Sequence, residues 1–481
     1  MAKFYIANSI PYVNAKPHIG HALEFVQSDT AARYHKIIGD DTLLLCGADE
    51  NALKNVQAAE KEGVSVQELV DKNSNLFFFL SKRLNVQFDI WQKGSDPKHH
   101  IASQKLWELC SKNGDIYKKT YTGLYCVGCE QFYEKEELNQ NGECFEHPGK
   151  KLEEVSEENY FFKLSKYQEQ LTKLIESDEL LIIPQFRKNE MLSFLKQGLK
   201  DISISRSNKR AKNWGVPVPN DPKQRMYVWF DALNIYQSGV GFALDEQQYK
   251  KWWPADLHII GKGILRFHAI YWPAFLLSAK LEIPKSIFVH GYLTVNGQKM
   301  SKTIGNVVDP VEFIETYGTD ALRYYLLREI PPFSDGDFSE KRFIELYNAD
   351  LANGLGNFVS RVAKLCENAS YTEMGSQDRS SMHIMQVDTF ASALNTYRFN
   401  DALAFVFRKI EQADKFINDE KPWELIKSGN ARTKAVLAHL VDQVQEIAIL
   451  LEPFLPETAK KIEEQFKGPE IKAKKPLFPR I

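Results

Sequence analysis

The first 112 residues alternate short β-prone runs with segments whose apolar residues recur at helical spacing. The pattern predicts strands at 4–10, 42–46 and 88–91, and helices from residue 19 to Gly39 and at 51–62, 66–84 and 97–112. Strands that alternate with helices in this way form a parallel sheet wrapped by helices. We therefore expect an α/β fold built on a Rossmann-like parallel sheet.

A polar segment rich in Glu, Lys and Asn interrupts this alternation near Gly114. It contains a cysteine cluster and predicts an inserted domain at 115–214 rather than a continuation of the sheet. Strand signals return at 226–230, 257–260 and 287–289, with a helix at 264–279. The sheet is therefore expected to be split in sequence, with one half in 1–114 and the other in 215–290.

Strand signals vanish beyond residue 348. An apolar stripe at Val436, Leu440, Val444, Ile447 and Leu451 is typical of a long amphipathic helix. We expect a connecting region at 291–348 and an α-helical bundle domain at 349–481.

Composition limits the partners and the cellular location that we expect for the chain. A net charge of -2 provides no global attraction to phosphate backbones, so any RNA contact must rest on local patches and shape. No apolar run reaches the roughly 18 residues that span a bilayer, and the N-terminus lacks the pattern of a signal peptide. We expect a cytoplasmic protein without a membrane partner.

Two short motifs could bind a nucleotide. His18-Ile19-Gly20-His21 lies where a strand gives way to a helix, and a helix N-terminus favours an anion. Lys299-Met300-Ser301-Lys302-Thr303 follows a strand and the turn at Asn296-Gly297, so that two lysines on a loop could reach phosphates. Either motif alone is more often an ordinary surface feature.

Together the two motifs resemble the HIGH and KMSKS signatures of class I aminoacyl-tRNA synthetases, with Thr303 where that family usually has Ser. The resemblance implies that an amino-acid carboxylate attacks the α-phosphate of ATP, which is accompanied by Mg²⁺. Prepositioned donors then stabilise the charge that develops in the transition state. The implied catalytic residues are His18, His21, Lys299 and Lys302, and the implied ATP-binding residues also include Gly20, Lys262 and Ser301.

Over nearly its whole length the chain is most similar to methionyl-tRNA synthetases. The residues that carry this similarity are Ser9 to Tyr12, Tyr227 to Ala232 with Tyr236, and Arg266 to Pro273. The implied methionine-binding residues are Ile10, Tyr12, Asp49, Trp229, Ala232, Tyr236, Phe267, His268 and Trp272. The Ile10 backbone and the Tyr236 hydroxyl would meet the thioether sulfur, and Asp49 would bind the ammonium group.

Two alternatives remain beside a methionine-tRNA ligase. The first is a class I synthetase for another aliphatic amino acid, which the small size of the insertion disfavours because such relatives usually carry a large editing domain. The second is a degenerate RNA-binding homologue that has lost catalysis. It is motivated by Asn51-Ala52, where the family usually has His-Gly, and by Gly263, where the family usually has an acidic residue.

The cysteine cluster has the spacing of a metal site. Cys126, Cys129, Cys144 and His147 form a C-x-x-C and C-x-x-H set, which predicts one structural Zn²⁺ with four protein ligands. This arrangement resembles the single zinc knuckle of one methionyl-tRNA synthetase subgroup. The remaining Cys46, Cys110 and Cys366 are expected to be core thiols.

Three residues of the helical region match the positions with which relatives read the anticodon. Asn357 and Arg361 are four residues apart on one helix face, and Trp423 follows Pro422 after a helix that ends near residue 417. A tryptophan can stack on an unpaired base while Asn and Arg bond base edges. The implied partner is tRNA(Met). Since no segment resembles an appended tRNA-binding dimerisation domain, we expect a monomer.

Overall fold

The computed structural model of the chain describes residues 2–128, 131–133, 135–145, 149–300, 305–372, 385 and 387–481. Two apolar cores lie on opposite faces of a central sheet, and the core on one face continues into the helical C-terminal region. Within these residues, no helix has both the length and the apolar character needed to cross a bilayer.

The central sheet is parallel throughout, as predicted. In spatial order its six strands are Ile90–Lys93, Asp41–Ala48, Lys3–Asn8, Leu257–Gly261, Ser286–His290 and Leu181–Ile183. Strands from both halves of the sequence meet where Lys3–Asn8 pairs with Leu257–Gly261. The last strand lies within the predicted insertion, so the expectation that this segment does not continue the sheet is wrong for Leu181–Ile183.

Side chains on the inner strands alternate between the two cores because successive residues of a strand point to opposite faces. Ile6, Leu44 and Cys46 belong to one core, whereas Tyr5 and Leu43 belong to the other. All five are at most 5 % exposed. This burial on both faces explains why the strands read as nearly continuous apolar runs.

Local capping fixes where the flanking helices begin. Ser65 and Glu68 form a capping box for Val66–Arg83, and Asp96 accepts a hydrogen bond from the backbone of Lys98 at the start of Pro97–Lys112. Further helices of the first 330 residues are Ile19–Ile37, Leu53–Glu62, Gln168–Glu176, Gln185–Lys196, Asn208–Ala211, Ile235–Ser238, Glu246–Trp252, Trp272–Ala279, Pro310–Tyr317 and Thr319–Arg328.

The prediction of a strand at 226–230 is wrong. The strand Asp221–Met226 ends where that run begins, and the short helix Val228–Ala232 follows. Every residue of this helix is buried. A helix that is buried on all sides cannot be distinguished from a buried strand by periodicity over so short a run. The predicted helix at 264–279 also contains a π-helical turn at Phe267–Tyr271.

Three smaller sheets lie beside the central one. The predicted insertion contributes an antiparallel sheet of Gln131–Tyr133, Ile116–Cys126, Glu153–Phe162 and Ile202–Ser203. A second consists of Pro217–Val218, Asp221–Met226 and Ser205–Ser207, and a third of Gln298–Lys299, Leu293–Val295 and Gly336–Phe338. In the third sheet the start of the lysine loop pairs with Leu293–Val295, which in turn pairs with Gly336–Phe338.

The C-terminal region is helical, as predicted. Its elements are Glu340–Leu346, the π-helical Tyr347–Gly356, Asn357–Asn368, Asp388–Asn395, Phe399–Glu420, Pro422–Ser428, Thr433–Leu451 and Pro456–Phe466. The fully buried Arg323 ties this region to the sheet layer. Its guanidinium pairs with Asp29 at 2.8 Å and donates to the carbonyl oxygens of Leu84, Pro453 and Phe454. A buried charge with so many partners is tolerated because its hydrogen bonds are satisfied.

Candidate functional site

A cavity of about 710 Å³ opens at the carboxyl ends of the central strands. This edge is where a parallel sheet binds ligands, next to the point where the strand order reverses. The cavity is lined by most of the residues that the sequence singled out, namely Ile10, Tyr12, His18, Gly20, His21, Asp49, Trp229, Ala232, Tyr236, Phe267 and His268. Met300 from the lysine loop also lines it.

Hydrogen bonds at the start of Ile19–Ile37 fix the tautomers of both histidines. Nδ1 of His18 accepts the backbone N–H of Gly20 at 3.1 Å, and Nδ1 of His21 accepts the backbone N–H of His18 at 3.1 Å. A neutral imidazole that accepts at Nδ1 carries its proton at Nε2. Each ring therefore caps the helix with Nδ1 as an acceptor and keeps Nε2–H as a donor.

The electrostatics keep His21 neutral. Burial, reinforced by the His18 ring 4.0 Å away, holds the pKa of His21 well below its ordinary value. A Cβ atom added at Gly20 would lie 3.0 Å from His18 Cε1 and 3.6 Å from Met300 Cε. Glycine thus lets the His18 ring turn back onto the helix end, and Met300 lies against the same residue.

Aromatic rings form one wall of the cavity. Trp229 and Phe267 stack with ring centroids 3.7 Å apart and planes 6° from parallel, and Tyr12 meets Trp229 edge-on at 6.1 Å. Trp229 and Phe267 are each at most 6 % exposed. Such a wall suits an apolar, polarizable side chain.

A chain of hydrogen bonds runs behind this wall. His268 Nδ1 lies 2.9 Å from the carbonyl oxygen of Ile264, which can only accept, so Nδ1 carries the proton and Nε2 is an acceptor. The Tyr236 hydroxyl, 2.8 Å from Nε2, must then donate to it. Burial raises the pKa of that hydroxyl well above its ordinary value, and the nearby backbone N–H of Ile10 opposes the shift. Two of the predicted methionine-binding residues, Tyr236 and His268, are thus joined by a hydrogen bond.

Stability should depend on pH through His268. Burial lowers its pKa from 6.5 to about 4, so between these values the unfolded chain binds a proton that the folded chain does not bind. Stability is therefore present above pH 6.5 and lost as the pH falls, by about 2 kcal/mol between pH 7 and pH 5 from this group alone. Urea unfolding of the wild type and a His268→Gln variant at both pH values checks this. Equal losses in the two proteins would exclude His268 as the source.

Asp49 directly follows the strand Asp41–Ala48 and is 4 % exposed. Its backbone N–H donates to the carbonyl oxygen of Pro11 at 2.9 Å, and its carbonyl oxygen accepts from Asn55. These bonds fix the backbone of Asp49, which lines the cavity. Lys54 Nζ lies 3.1 Å from the centroid of the Tyr12 ring, a cation–π contact within the same wall.

The sequence reasoning missed several lining residues. Glu24 and His290 form a buried pair, with Glu24 Oε2 2.8 Å from His290 Nε2. Glu24 Oε1 also accepts from the Ser9 hydroxyl at 2.6 Å and from the Asn8 amide at 3.0 Å. A glutamate three positions after His21 could have been noticed because the two share a helix face.

Some predicted residues lie away from the cavity wall. Trp272 is fully buried but does not line the cavity, since it lies one helical turn beyond His268 and packs edge-on against Trp253. Lys262 does not line it either, and instead pairs with Asp335 at 2.7 Å. Asn51 faces inward, donating to the carbonyl oxygen of Gly94 and to Asp231.

Part of the lysine loop is outside the described residues. Lys299 pairs with Thr294 through its backbone, but its side chain and the residues Ser301, Lys302 and Thr303 are not among those that the structure describes.

Two of the four predicted zinc ligands are described. The sulfur atoms of Cys126 and Cys144 lie 3.2 Å apart, too far for a disulfide, and both residues are buried. Cys129 and His147 lie outside the described residues. Elsewhere in the described ranges there is no group of three or more His, Cys, Asp or Glu residues that could hold a metal. Cys46, Cys110 and Cys366 are buried as expected, and burial raises the pKa of Cys110 to about 12.

The predicted anticodon residues lie on two neighbouring helices, Asn357–Asn368 and Pro422–Ser428. Asn357 is exposed, and Trp423 is 38 % exposed, which is unusual for a tryptophan. Arg361 pairs with Asp414 and donates to the Asn418 side chain at 2.9 Å, so its guanidinium is held by the adjacent helix.

Comparison with known proteins identifies the family. Residues 4–363 match the family model described as "tRNA synthetases class I (M)". The methionine–tRNA ligase of Brucella suis biovar 1 is 40% identical over 99% of this chain and 98% of its own length, and that of Nostoc sp. is 42% identical over 96% and 89%.

Solved structures agree with this assignment. Mycobacterium tuberculosis methionyl-tRNA synthetase in complex with methionyl-adenylate has a TM-score of 0.92 and 36% identity over 100% of both chains. The free state of that protein has a TM-score of 0.84 and 33% identity over 100% of this chain and 98% of its own. The arrangement of this chain is thus nearer to the adenylate-bound neighbour, and the chain belongs to the methionyl-tRNA synthetase family of class I tRNA synthetases.

Proposed function

We propose that this chain is a methionine–tRNA ligase, which activates L-methionine with ATP and transfers it to the terminal adenosine of tRNA(Met). The observation that carries the proposal is one cavity that combines two kinds of group. His18 and His21 provide N–H donors at a helix N-terminus, and Asp49 lies at the wall that also contains Trp229 and Phe267. The donors suit a triphosphate, and the wall suits an apolar amino acid with an ammonium group.

In the first step, a carboxylate oxygen of methionine forms a bond to the α-phosphorus of ATP, and the bond from that phosphorus to pyrophosphate breaks. Negative charge builds on the phosphate oxygens as this happens. The Nε2–H groups of His18 and His21 donate to those oxygens, and because both rings are already fixed by capping bonds they need no reorganisation. No enzyme nucleophile takes part.

The lysine loop completes this site in the proposal. Lys299 and Lys302 pair with the leaving pyrophosphate, and Ser301 and Lys262 contribute to ATP binding. Mg²⁺ arrives with ATP and neutralises part of its charge. Met300 and Gly20 both line the cavity, and a Cβ atom added at Gly20 would lie 3.6 Å from Met300 Cε, which supports the proposal that the loop works beside the histidine motif.

In the second step, a hydroxyl of the terminal ribose of tRNA(Met) attacks the carbonyl carbon of methionyl-adenylate, and AMP leaves. We place the anticodon on the face formed by Asn357, Arg361 and Trp423. Arg361 forms an ion pair with Asp414 and a hydrogen bond with Asn418, and these contacts support the placement. A guanidinium that is already held in position loses little conformational entropy when it binds a base.

The function is tested by methionine-dependent exchange of pyrophosphate into ATP. We expect exchange with methionine and much slower exchange with leucine or isoleucine, and a Lys302→Ala variant should lose most of it. Faster exchange with leucine or isoleucine would assign the chain to another aliphatic amino acid. If no amino acid supports exchange while tRNA still binds, the chain is a non-catalytic RNA-binding homologue.

Trp423→Ala should weaken charging of tRNA without affecting methionine activation. Stacking of a base on an aromatic ring contributes about 1 to 3 kcal/mol, so kcat/KM for tRNA(Met) is expected to fall by about 5- to 150-fold. Pyrophosphate exchange, which needs no tRNA, should be unchanged. Trp423→Phe is the matched control and should retain most of the charging activity. A parallel loss of exchange in Trp423→Ala would indicate a folding defect instead.

We propose one structural Zn²⁺ held by Cys126, Cys129, Cys144 and His147. The convergence of two buried thiols supports it, since paired thiolates are the ligands that zinc prefers. Lys54 donates to the carbonyl oxygen of Gly128 in this knuckle, so metal loss should also disturb the cavity wall. Elemental analysis is expected to find about one zinc per chain and much less in Cys144→Ser. Full zinc content in that variant would exclude the site.

The domain division follows from the proposed roles. Residues 1–114 and 215–290 form the catalytic domain, 115–214 the inserted knuckle domain, 291–348 the stem-contact region and 349–481 the anticodon-binding domain. We further propose a cytoplasmic monomer, which sedimentation of the purified protein tests for its oligomeric part.

A further inference from the structure

Gly263 and Tyr292 share one space at the cavity. A Cβ atom added at Gly263 would lie 1.8 Å from the Tyr292 hydroxyl oxygen and 3.1 Å from Cζ of that ring. Contacts under 3.0 Å do not occur, so the phenol occupies the volume that any side chain at position 263 would need. Both residues line the cavity. The acidic side chain expected at position 263 is therefore replaced by a tyrosine hydroxyl that arrives from another strand.

Tyr292 is held in place from two sides. Its backbone N–H donates to Asp335 Oδ1 at 2.9 Å, and the Lys262 ammonium lies 4.7 Å from the centroid of its ring. Lys262 also donates to Asp335 Oδ2 at 2.7 Å. Lys262, Tyr292 and Asp335 thus contact one another in one cluster. Asp335 lines the cavity, so a carboxylate is present at its wall although position 263 has none.

The chemistry of the cluster fits a neutral, hydroxylated ligand. Burial alone would raise the pKa of Asp335, but the bonds from Lys262 and from the Tyr292 backbone outweigh this and lower it, so Asp335 is ionised at neutral pH. Because Lys262 is paired with Asp335, it contributes to ATP binding by positioning Tyr292 rather than by attracting the triphosphate. The Tyr292 phenol can instead accept from and donate to a sugar hydroxyl.

The position in the sheet agrees with this. Gly263 follows the strand Leu257–Gly261 and Tyr292 follows Ser286–His290, both at the carboxyl edge beside the reversal of strand order. In nucleotide-binding parallel sheets, an acidic residue near this edge commonly bonds the ribose.

We propose that the Tyr292 hydroxyl, positioned by Asp335 and Lys262, replaces the missing acidic side chain and binds a ribose hydroxyl of ATP. The inference deepens the proposed function, on which it depends only in taking ATP as the ligand. Tyr292 is then a nucleotide-binding residue, and Asp335 is a positioning residue. Gly263 is required because it leaves room for the phenol.

Equilibrium binding tests the inference without relying on catalysis. Calorimetry would measure the Kd of the full chain for ATP, 2′-deoxy-ATP and 3′-deoxy-ATP. Because a neutral hydrogen bond is modest in net free energy, we expect Tyr292→Phe to weaken ATP binding by about two- to tenfold. Binding of one deoxy analogue should be unchanged by the substitution. Tyr317→Phe, whose hydroxyl bonds Glu340 and does not line the cavity, is the matched control and should bind all three nucleotides normally.

A reciprocal exchange adds a result that a structural role would not produce. Gly263→Asp alone should bind ATP poorly, because its side chain meets the phenol, and Tyr292→Ala alone should also bind poorly. The double variant has room for the carboxylate and should recover ATP binding. If Tyr292→Phe weakens ATP and both deoxy analogues by the same factor, or if the double variant is no better than either single one, the inference is overturned. Pyrophosphate exchange is measured separately, so loss of the proposed function would be recognised on its own.

Discussion

His21→Ala is expected to slow methionine-dependent pyrophosphate exchange by about 10²- to 10³-fold, the usual effect of removing one prepositioned donor from a water-poor site. The Nδ1 atom of His21 already accepts from the His18 backbone, so the ring presents Nε2–H to the cavity. Because burial keeps the ring neutral, this donor should persist from pH 8 down to pH 6, and the rate should show no loss attributable to His21 over that range.

Two further variants separate the catalytic role of His21 from its capping role. Asparagine can mimic Nδ1 and should keep the bond from the His18 N–H, whereas glutamine can place an N–H near the position of Nε2. We expect His21→Asn to unfold like the wild type and remain slow, and His21→Gln to regain part of the rate. If thermal stability and exchange fall together across all three variants, the histidine acts on the helix rather than on ATP.

Much of the fold was predictable because its signals are local. The alternation of apolar runs and amphipathic segments, with a stop signal at Gly39, predicted the helices that flank the first three strands to within a few residues. The loss of strand signals and the apolar stripe at helical spacing likewise predicted the helical C-terminal region. Where the signal of an element lies within its own residues, reading the sequence was sufficient.

The failures share a physical cause. Val228–Ala232 is a buried run whose helical state is decided by its surroundings, and Leu181–Ile183 is a three-residue strand that exists only because Ser286–His290 offers it an edge. Neither outcome is encoded in a short window of sequence. Tertiary contacts decide such segments.

The features of the site fall into the same two groups, those with local sequence signals and those that tertiary contacts decide. Most of the residues that short motifs and family resemblance assigned to ATP and methionine line the cavity, including His18, His21 and Asp49. The motifs and the resemblance could not predict which nitrogen of each histidine carries the proton, nor the Glu24–His290 pair, since these depend on contacts between distant segments. Gly263 shows most clearly what the structure adds to the sequence. The sequence indicates only that a carboxylate is missing at this position, whereas the structure shows the Tyr292 hydroxyl in the space that its side chain would occupy.

Asp49→Asn is expected to raise the KM for methionine by about 30-fold or more while leaving the KM for ATP nearly unchanged. Removing one partner of a buried, hydrogen-bonded charge pair costs about 2 to 5 kcal/mol, because the other charge is left unpaired in a site with little water. Asparagine keeps the shape of the side chain and the backbone bonds to Pro11 and Asn55. The loss would therefore report the missing charge rather than a rearranged wall.

An analogue without the ammonium group makes the interpretation specific. The 2-hydroxy analogue of methionine keeps the thioether and the carboxylate but offers Asp49 no cation. It should inhibit the wild type weakly and inhibit Asp49→Asn equally weakly, since the variant has lost only a partner that this ligand never used. If the substitution weakens binding of the hydroxy analogue as much as it weakens binding of methionine, Asp49 shapes the pocket and does not bind the ammonium group.

If methionine binding is unaffected, the carboxylate has no part in recognising the amino acid, and another acceptor at the same wall must do so. Glu24 would then be the first residue to change, since it is the other buried carboxylate among the lining residues that the structure describes.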